Sequence, residues 1–406
     1  MRRREAGRWV LLWLLGLDLR VTVLGLAPLL PAVTHDLRLD HTAVGAVSTL
    51  PVLLFGIGAA LGSFVVGRLG TRRAVLVGLG LAGLGGAARG AGASTGVLFA
   101  CTFVMGLGIA VVQPALPTLV REWRPSVVGA ATAVYGNGLL VGEAIAASLT
   151  LPLVLRVTGS WEASLVAWSM PLALTVVLVL ALRTWHEPAA PEERGETAGP
   201  AAASSSWPRL RDARTWRLGL VQGGASAVYF GANAFLPGYL HATGHGHLVG
   251  PALTILNVSQ LPASLLLLFH NERLVRHRLP LPAMAAVLVG VAAGMLVAPA
   301  PVLLVLAGLL GFTTALMLLL VLALPPITSP AGEVASVSAG MFTVGYTLAF
   351  VLPLLGGLAS DASGSLRVTL APALLGALLA AGAAVRLTPS ATSSGRGRAG
   401  QPSPFE

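Results

Sequence analysis

The residues from Trp9 to Val33 read WVLLWLLGLDLRVTVLGLAPLLPAV, an apolar run that carries Asp18 and Arg20 close to its middle. About 20 apolar residues in a helix are enough to cross the hydrocarbon core of a bilayer. A charge at the centre of such a helix costs roughly 2.5 to 3.5 kcal/mol even on the most lenient insertion scale. We therefore expect these two side chains either to serve a function or to pair with partners on neighbouring helices.

The composition of the whole chain indicates the same environment. Of its 406 residues, 55% are hydrophobic and only 10% are charged, whereas about 25% of the residues of a soluble protein are charged. The chain has 49 Gly and 27 Pro without a lasting two-residue alternation, which favours closely packed helices over barrel strands. The sequence predicts an all-α integral membrane protein.

The arginines predict how the chain is oriented in the membrane. The net charge is +10, all 26 basic residues are Arg, and most of these lie in short loops between apolar runs, so we expect no nucleic-acid partner. The side of the membrane that holds both termini carries nearly all loop arginines, whereas the opposite side has only Arg38, Arg156 and Arg367. This asymmetry predicts that both termini are cytoplasmic.

Twelve apolar runs are long enough to span a membrane, and they divide six plus six. We expect an N-terminal six-helix bundle (1–182), a disordered cytoplasmic linker (183–215), a C-terminal six-helix bundle (216–388) and a disordered cytoplasmic tail (389–406). The predicted spans are roughly 9–33, 43–66, 74–93, 96–119, 127–153, 163–182, 216–240, 249–269, 281–299, 301–323, 333–357 and 367–386.

Short stretches that occur in order along most of the chain carry a family resemblance. They are Asp18-Leu19-Arg20 with Pro28-Leu29-Leu30, Ser48 to Gly56, Gly106 to Ala110 with Pro117 and Leu119-Val120, Trp161 to Trp168, Phe235-Leu236-Pro237, and Gly345-Tyr346 with Gly356-Gly357. Together they resemble the cyanate permease and nitroimidazole transporter family of the major facilitator superfamily. The resemblance implies the major facilitator fold, with a substrate cavity between the two bundles.

The hairpin after the second span resembles the cytoplasmic gating motif of that superfamily. Its residues here are Gly62, Arg68, Gly70, Arg72 and Arg73. The chain departs from the motif at Gly67, where an Asp is usual. The resemblance also implies Asn where this chain has Asp18, and a small residue where it has Glu143.

Arg20 is the leading candidate for substrate contact. A guanidinium is always charged and can form two parallel hydrogen bonds to a planar anion, and the resemblance implies the same role. Asp18 lies two residues away, about 200° around a helix, so the two side chains cannot both face the cavity. Glu143 is either the ionic partner of Arg20 or a carboxyl that carries protons, and Asp18 is a second candidate for proton coupling.

Neutral polar residues inside apolar spans form a second set of candidates. Gln222, Tyr229 and Asn233 share one helical face. Any single member of the set could instead form a hydrogen bond that only holds two helices together. Such a bond contributes about 0.6 kcal/mol to stability on average. The candidates for substrate binding are Arg20, Gln113, Tyr135, Asn137, Gln222, Tyr229, Asn233, Asn257 and Tyr346, while Gln260 is noted in the same span as Asn257.

Other features have simpler interpretations. Arg89 is expected to snorkel to the membrane surface, and His241, His245 and His247 are expected to be incidental loop residues, not a metal site. Gly58 and Gly62 form a GxxxG that predicts a helix contact, and a rocking interface is a second interpretation of it. No P-loop, HExxH or nucleophile elbow is present, so we expect neither an enzyme nor a cofactor.

These observations predict a secondary active transporter of the inner (plasma) membrane that moves a small anionic or polar solute by alternating access. Its expected partners are that solute, the lipid bilayer and protons, and we expect a monomer. The alternatives are proton-coupled efflux of drug-like or nitroheterocyclic compounds, and a transport-inactive receptor or scaffold.

Overall fold

The computed structural model describes residues 2–92, 94–123, 128–181, 210–277, 279–328 and 334–387, and over these residues it contains helices and no strands. This confirms the prediction of an all-α protein. The first half contains α1 (Arg2–Leu24), α2 (Leu30–Leu37), α3 (His41–Leu69), α4 (Thr71–Ala88), α5 (Thr95–Trp123), α6 (Val128–Leu149), α7 (Leu155–Thr158) and α8 (Trp161–Ala181). The second half contains α9 (Ala213–Ala242), α10 (Val249–Val258), α11 (Gln260–Arg276), α12 (Pro280–Val297), α13 (Ala300–Thr328), α14 (Val334–Ser363) and α15 (Ala371–Val385).

Local sequence explains several helix boundaries. The Asp40 carboxylate accepts a 2.6 Å hydrogen bond from the backbone N–H of Ala43 and so caps the start of α3. Gly70 ends α3 and precedes α4 with a φ of 77°, a left-handed conformation that favours glycine. The first predicted span is not one straight helix, because a 3₁₀ turn at Ala27–Leu29 separates α1 from α2.

Eleven helical segments among the described residues are long and apolar enough to cross a membrane. The predicted span 216–240 is the exception, because its helix α9 is long enough but not sufficiently apolar. Every residue of α9 from Val221 to Pro237 is buried. Since protein surrounds this stretch, its many Gly, Ala, Ser and amide side chains need not match the apolarity of lipid.

Within each half, neighbouring helices pack closely. In the first half α1 packs on α6, α3 and α4 pack on α5, and α4 packs on α8. In the second half α9 packs on α13, α14 and α15, while α13 also packs on α10, α11 and α12. Glycines allow several of these approaches: a Cβ at Gly62 of α3 would collide with the Ala110 carbonyl of α5. The predicted GxxxG therefore packs inside the first half, and the suggestion that it forms a rocking interface is wrong.

The two halves meet chiefly where α3 lies against α14 and α9, and where α6 lies against α10. We call the end of the bundle at Gly70 the hairpin end and the end at His41 the far end. At the far end, the Asp361 carboxylate of α14 accepts hydrogen bonds from the backbone N–H groups of His41 (3.0 Å) and Thr42 (2.8 Å). The side chains of His41 and Thr42 contact the same carboxylate at 2.7 and 2.5 Å.

Some sequence predictions fall on residues that the structure does not describe. Most of the predicted linker 183–215 and all of the predicted tail 389–406 lie outside the described residues. The proposed disorder of these two segments therefore stays a prediction.

Candidate substrate site between the two halves

Arg20 lies where α1 faces helices of both halves. Its guanidinium carbon is 5.4 Å from the ring centre of Phe55 on α3 and 5.9 Å from that of Phe230 on α9. Both distances allow a cation–π attraction. Only 12% of the Arg20 side chain is exposed, and its Nη1 atom is buried without a hydrogen-bond partner. The site therefore holds a nearly buried cation with a free donor.

Close packing of α1 on α6 places Arg20 beside Glu143. A Cβ added at Gly138 or Gly142 of α6 would press against the backbone of α1, and one at Gly16 would press against the backbone of α6. Because glycine lacks a Cβ, the two helices can approach closely. The Nε atom of Arg20 then lies 3.4 Å from Oε1 of Glu143, whose side chain is only 5% exposed.

Glu143 also connects the first half to the second. Its Oε2 atom lies 2.9 Å from the Tyr229 hydroxyl on α9 and 2.8 Å from Nε2 of Gln260 on α11. The Tyr229 hydroxyl is in turn 2.6 Å from Oδ1 of Asn257 on α10. A buried hydrogen-bond network thus joins α6 to three helices of the other half.

Two further predicted residues complete the surroundings of Arg20. The hydroxyl of Tyr346 on α14 faces Arg20 and Gln113 of α5. The Tyr346 ring meets Phe55 edge-on at 5.8 Å and stacks on Phe342 at 5.6 Å. Phe55, Phe230 and Tyr346 thus place three aromatic side chains beside Arg20.

The structure places three predicted residues away from this network. Asn137 accepts a 3.0 Å hydrogen bond from the Trp13 indole N–H, a contact between α6 and α1. Tyr135 is half-buried on α6 against the core of the protein. Gln222 is fully buried beside Gly345 of α14, and its amide atoms have no hydrogen-bond partner. Tyr229 and Asn233 of the predicted α9 stripe lie in the network, whereas Gln222 does not.

Asp18 points away from Arg20 and into the first half. It is fully buried and faces Thr175 of α8. Neither of its carboxylate oxygens has a hydrogen-bond partner of good geometry. The two charges of the first span therefore lie in different environments, as their angular separation on the helix requires.

Arg89 does not snorkel to the membrane surface, so that expectation is wrong. It is 1% exposed, and its Nη2 atom donates a 2.6 Å hydrogen bond to the backbone carbonyl of Thr22. Arg89 begins the 3₁₀ turn at Arg89–Ala91, and its side chain contacts α1 through Thr22. Hydropathy alone could not indicate this direction.

The predicted gating hairpin lies at the tight turn between α3 and α4. Arg72 donates a 3.3 Å hydrogen bond to the Val179 carbonyl in the last turn of α8, and Arg68 lies 5.0 Å from the ring of Phe64. Arg73 is exposed. Although Gly67 replaces the usual Asp, Glu122 of α5 accepts a 2.6 Å hydrogen bond from Thr71 and brings a carboxylate to this turn.

Sequence reasoning missed several residues of the site. Phe55 and Phe230 resemble ordinary core residues in the sequence, and Gln260 is not among the predicted site residues. Asp361, which joins the halves at the far end, was not singled out at all. The only available signal was polarity within an apolar span, and the two phenylalanines do not carry it.

Comparisons with known proteins agree with this architecture. A model of the Major Facilitator Superfamily matches residues 9–353. The chain is 25% identical to the cyanate transport protein CynX of Escherichia coli (strain K12) over 366 residues, covering 88% of this chain and 90% of that protein. It is 29% identical to the 2-nitroimidazole transporter of the same organism over 358 residues, covering 87% of this chain and 88% of that protein.

A solved structure shows the same fold at low sequence identity. A bacterial homologue of the human lysosomal transporter Spinster, in an inward-facing and unoccupied conformation, superposes with a TM-score of 0.74 and 13% identity. The superposition covers 95% of this chain and 97% of that one. The chain therefore belongs to the Major Facilitator Superfamily and is a multi-pass membrane protein of the transporter class, which in bacteria resides in the inner membrane.

Proposed function

We propose that the protein is a secondary active transporter that moves a small anionic or polar solute by alternating access, through a cavity between its two halves. The observation that carries this proposal is Arg20, a nearly buried cation with one unpartnered donor nitrogen between helices of both halves. Burying a cation is costly unless it is compensated. Glu143 lies 3.4 Å from the Nε atom of Arg20, and a transported anion would bind the Nη1 atom that no protein group satisfies.

The proposal includes the predicted organisation of the chain. Two six-helix bundles (1–182 and 216–388) rock against each other, with twelve spans and cytoplasmic termini. Helix α9, whose span is seventh in chain order, completes the proposed set of twelve spans. It lies inside protein over most of its length. The contacts of α3 with α14, and of α6 with α10, supply the two seams along which the bundles would move.

The residues around Arg20 have distinct proposed roles. Arg20 holds the anion, while Gln113 and Tyr346 orient it from α5 and α14. Tyr229, Asn233 and Asn257 bound the site from the second half. We assign Tyr135, Asn137 and Gln222 to contacts between helices, because they lie outside the network. Asp18 and Glu143 remain the candidates for proton coupling.

A second candidate function has its own supporting observation. Phe55, Phe230 and Tyr346 provide aromatic surface beside Arg20, which suits a flat heteroaromatic solute as well as a small anion. One relative is named a 2-nitroimidazole transporter. Proton-coupled efflux of nitroheterocyclic or drug-like compounds is therefore the alternative.

Flux in proteoliposomes tests the transporter proposal. Purified protein is reconstituted, and uptake or exchange of cyanate, formate, acetate and 2-nitroimidazole is measured. We expect flux of at least one probe above that of protein-free vesicles, and loss of anion flux in Arg20→Ala. If no probe is moved in either direction and none raises the melting temperature of the protein, the proposal is rejected.

A further inference from the structure

The contact between the two halves at the far end includes a histidine. Nδ1 of His41, at the start of α3, lies 2.7 Å from Oδ1 of Asp361, in the last turn of α14. The side chains of His41 and Asp361 are 40% and 27% exposed, so protons from water reach the ring. An imidazole changes its charge between about pH 5 and pH 8. The seam between the halves therefore contains a group that titrates in the physiological range.

The contacts of Asp361 identify it as an ionised acceptor. Its Oδ1 atom accepts the backbone N–H of His41 at 3.0 Å, and its Oδ2 atom accepts that of Thr42 at 2.8 Å. The Thr42 hydroxyl donates to Oδ2 at 2.5 Å. Hydrogen bonds from several donors favour the charged form of a carboxylate. The contact at 2.7 Å then requires a hydrogen on Nδ1 of His41, which both the neutral ring and the imidazolium can supply.

Protonation of His41 strengthens this contact without rearranging it. A neutral ring and a carboxylate share a hydrogen bond, whereas an imidazolium and a carboxylate also attract each other as an ion pair. Because both side chains are partly exposed, water screens much of that attraction. Ion pairs of this kind shift an equilibrium about 1.5- to 5-fold.

The charges of the first half keep their places around His41 when the halves move apart. Arg38 and Asp40 lie within three residues of His41 in the chain, and Asp36 contacts His35 and Trp161 of the same half. The positive end of the α3 dipole opposes a charge on the ring, but it also moves with His41. These groups therefore act on the ring equally in the closed and the open state.

The second half contributes the charge that changes. Among the described residues, Asp361 is the only carboxylate within 4.0 Å of the His41 ring. The other ionisable side chains of this half at the far end follow α9 and α14, and none of them forms a hydrogen bond with His41 over the described part of the chain: His241, His245, His247 and Arg367. A charge that acts through water is weaker than one in direct contact. Opening of the far end therefore removes chiefly Asp361 from the surroundings of His41.

We propose that the contact between His41 and Asp361 is a pH-sensitive latch, in which protonation of His41 favours closure of the far end. The closed state holds the proton more tightly than the open state, because only the closed state places Asp361 against the ring. By linkage, the proton favours the closed state to the same extent. Closure is therefore greatest on the acidic side of the imidazole titration and weakens as the pH rises through it. This inference rests on the proposed function, since the latch acts on the alternating access of the two halves.

Distances across the far end test the latch. Spin labels are attached to Val157→Cys of α7 and Ala242→Cys at the end of α9, two exposed positions on opposite halves, in a Cys101→Ser background. Double electron–electron resonance of the full-length protein in lipid nanodiscs then gives the ratio of closed to open molecules. We expect this ratio to be about 1.5- to 5-fold higher at pH 5 than at pH 8.

Three variants assign the pH dependence to the latch. His41→Gln keeps the backbone donors and a side-chain donor but cannot titrate, so its ratio should not depend on pH. Asp361→Asn keeps an acceptor oxygen without the charge and should also lose the dependence. His35→Gln is the matched control, because Nδ1 of His35 lies 3.0 Å from an aspartate of its own half, Asp36. This variant should retain the pH dependence of wild type.

The outcomes separate the latch from the function on which it rests. The latch is overturned if the ratio changes equally with pH in wild type and His41→Gln, or if it does not change with pH in wild type. Either result leaves the transporter proposal to the flux measurement in proteoliposomes. A ratio that rises at acidic pH only when His41 and Asp361 are both present supports the latch, whichever probe is moved.

Discussion

At the scale of single residues, the site consists of one permanent cation and the groups that compensate it. Arg20 lies between two phenylalanine rings, and one carboxylate oxygen is within ion-pair distance. Aromatic faces attract a cation but do not satisfy its N–H donors. The unpartnered Nη1 atom is therefore the atom at which the proposed anion would bind without displacing a strong hydrogen bond.

Substitution of Arg20 tests this directly. Arg20→Ala should weaken binding of an anionic probe about 10- to 100-fold, because a hydrogen bond to a charged group contributes about 1.5–3 kcal/mol. Arg20→Lys keeps the charge but loses the planar fork, so it should bind the probe with intermediate affinity. Isothermal titration with the probe that wild type binds gives both values.

The matched control for these variants is Arg156→Ala, which removes an exposed arginine of α7. Its affinity for the probe should equal that of wild type. Binding that survives unchanged in both Arg20 variants would remove Arg20 from the site.

At the scale of elements, helix α3 uses glycines on two faces. Gly58 and Gly62 face Ala110 of α5 inside the first half, whereas Gly45 and Gly56 face α14 across the seam between the halves. A helix that must touch neighbours on both faces has little room for larger side chains. Its small residues therefore allow close packing both inside the first half and against α14.

Gly62 and Gly67 of α3 give a matched pair of variants. In Gly62→Leu the new side chain meets the backbone of Ala110 and the ring of Pro114, which cannot easily move aside. Overpacking of this kind costs about 1–3 kcal/mol, so we expect a lower melting temperature and yield in detergent. A Cβ added at Gly67 meets no atom within 4 Å, so thermal stability should not fall in Gly67→Leu. Equal losses in the two variants would show that close packing against α5 is not the cause.

At the scale of the whole molecule, the far end is held by one carboxylate that bridges the halves. Asp361 of α14 accepts both backbone N–H groups at the start of α3, where the helix dipole favours a negative charge. Backbone N–H groups at a helix start otherwise lack a partner. Opening the protein at this end must break these bonds.

Removal of this bridge should favour opening at the far end. In a background with Cys101→Ser and Ser48→Cys, the introduced thiol lies in a small cavity lined also by Phe230 and Asn233. Asp361→Ala should increase the rate at which a membrane-impermeant maleimide labels this thiol several-fold. The substitution removes hydrogen bonds that form only when the far end is closed, and so it shifts the population towards the open state.

Asp36→Ala is the control for this experiment. Asp36 lies at the same end, but its contacts with His35 and Trp161 remain within the first half. The labelling rate should not change in this variant. A rate that Asp361→Ala also leaves unchanged would mean that the bridge does not hold the far end closed.

Much of the fold could be predicted from the sequence because a bilayer imposes strong constraints. Backbone groups in lipid must be satisfied within a helix, so long apolar runs identified helices at every predicted span. Helix α9 shows the limit of this reasoning. Its centre is surrounded by protein, and so its hydropathy differs from that of its neighbours.

The residues that are costly to bury can be recognised from the order of amino acids: Asp18, Arg20 and Glu143 each place a charge inside an apolar span. The surroundings of each charge follow from the packing of the helices. This packing turned Asp18 towards α8, placed Arg20 beside Glu143, and buried Arg89 against Thr22. The physical reason is that helix periodicity fixes the angle between side chains of one helix, whereas the partners of a charge depend on which helices pack against it. Those contacts join residues far apart in the chain, as Glu143 and Tyr229 do, and no local pattern encodes them.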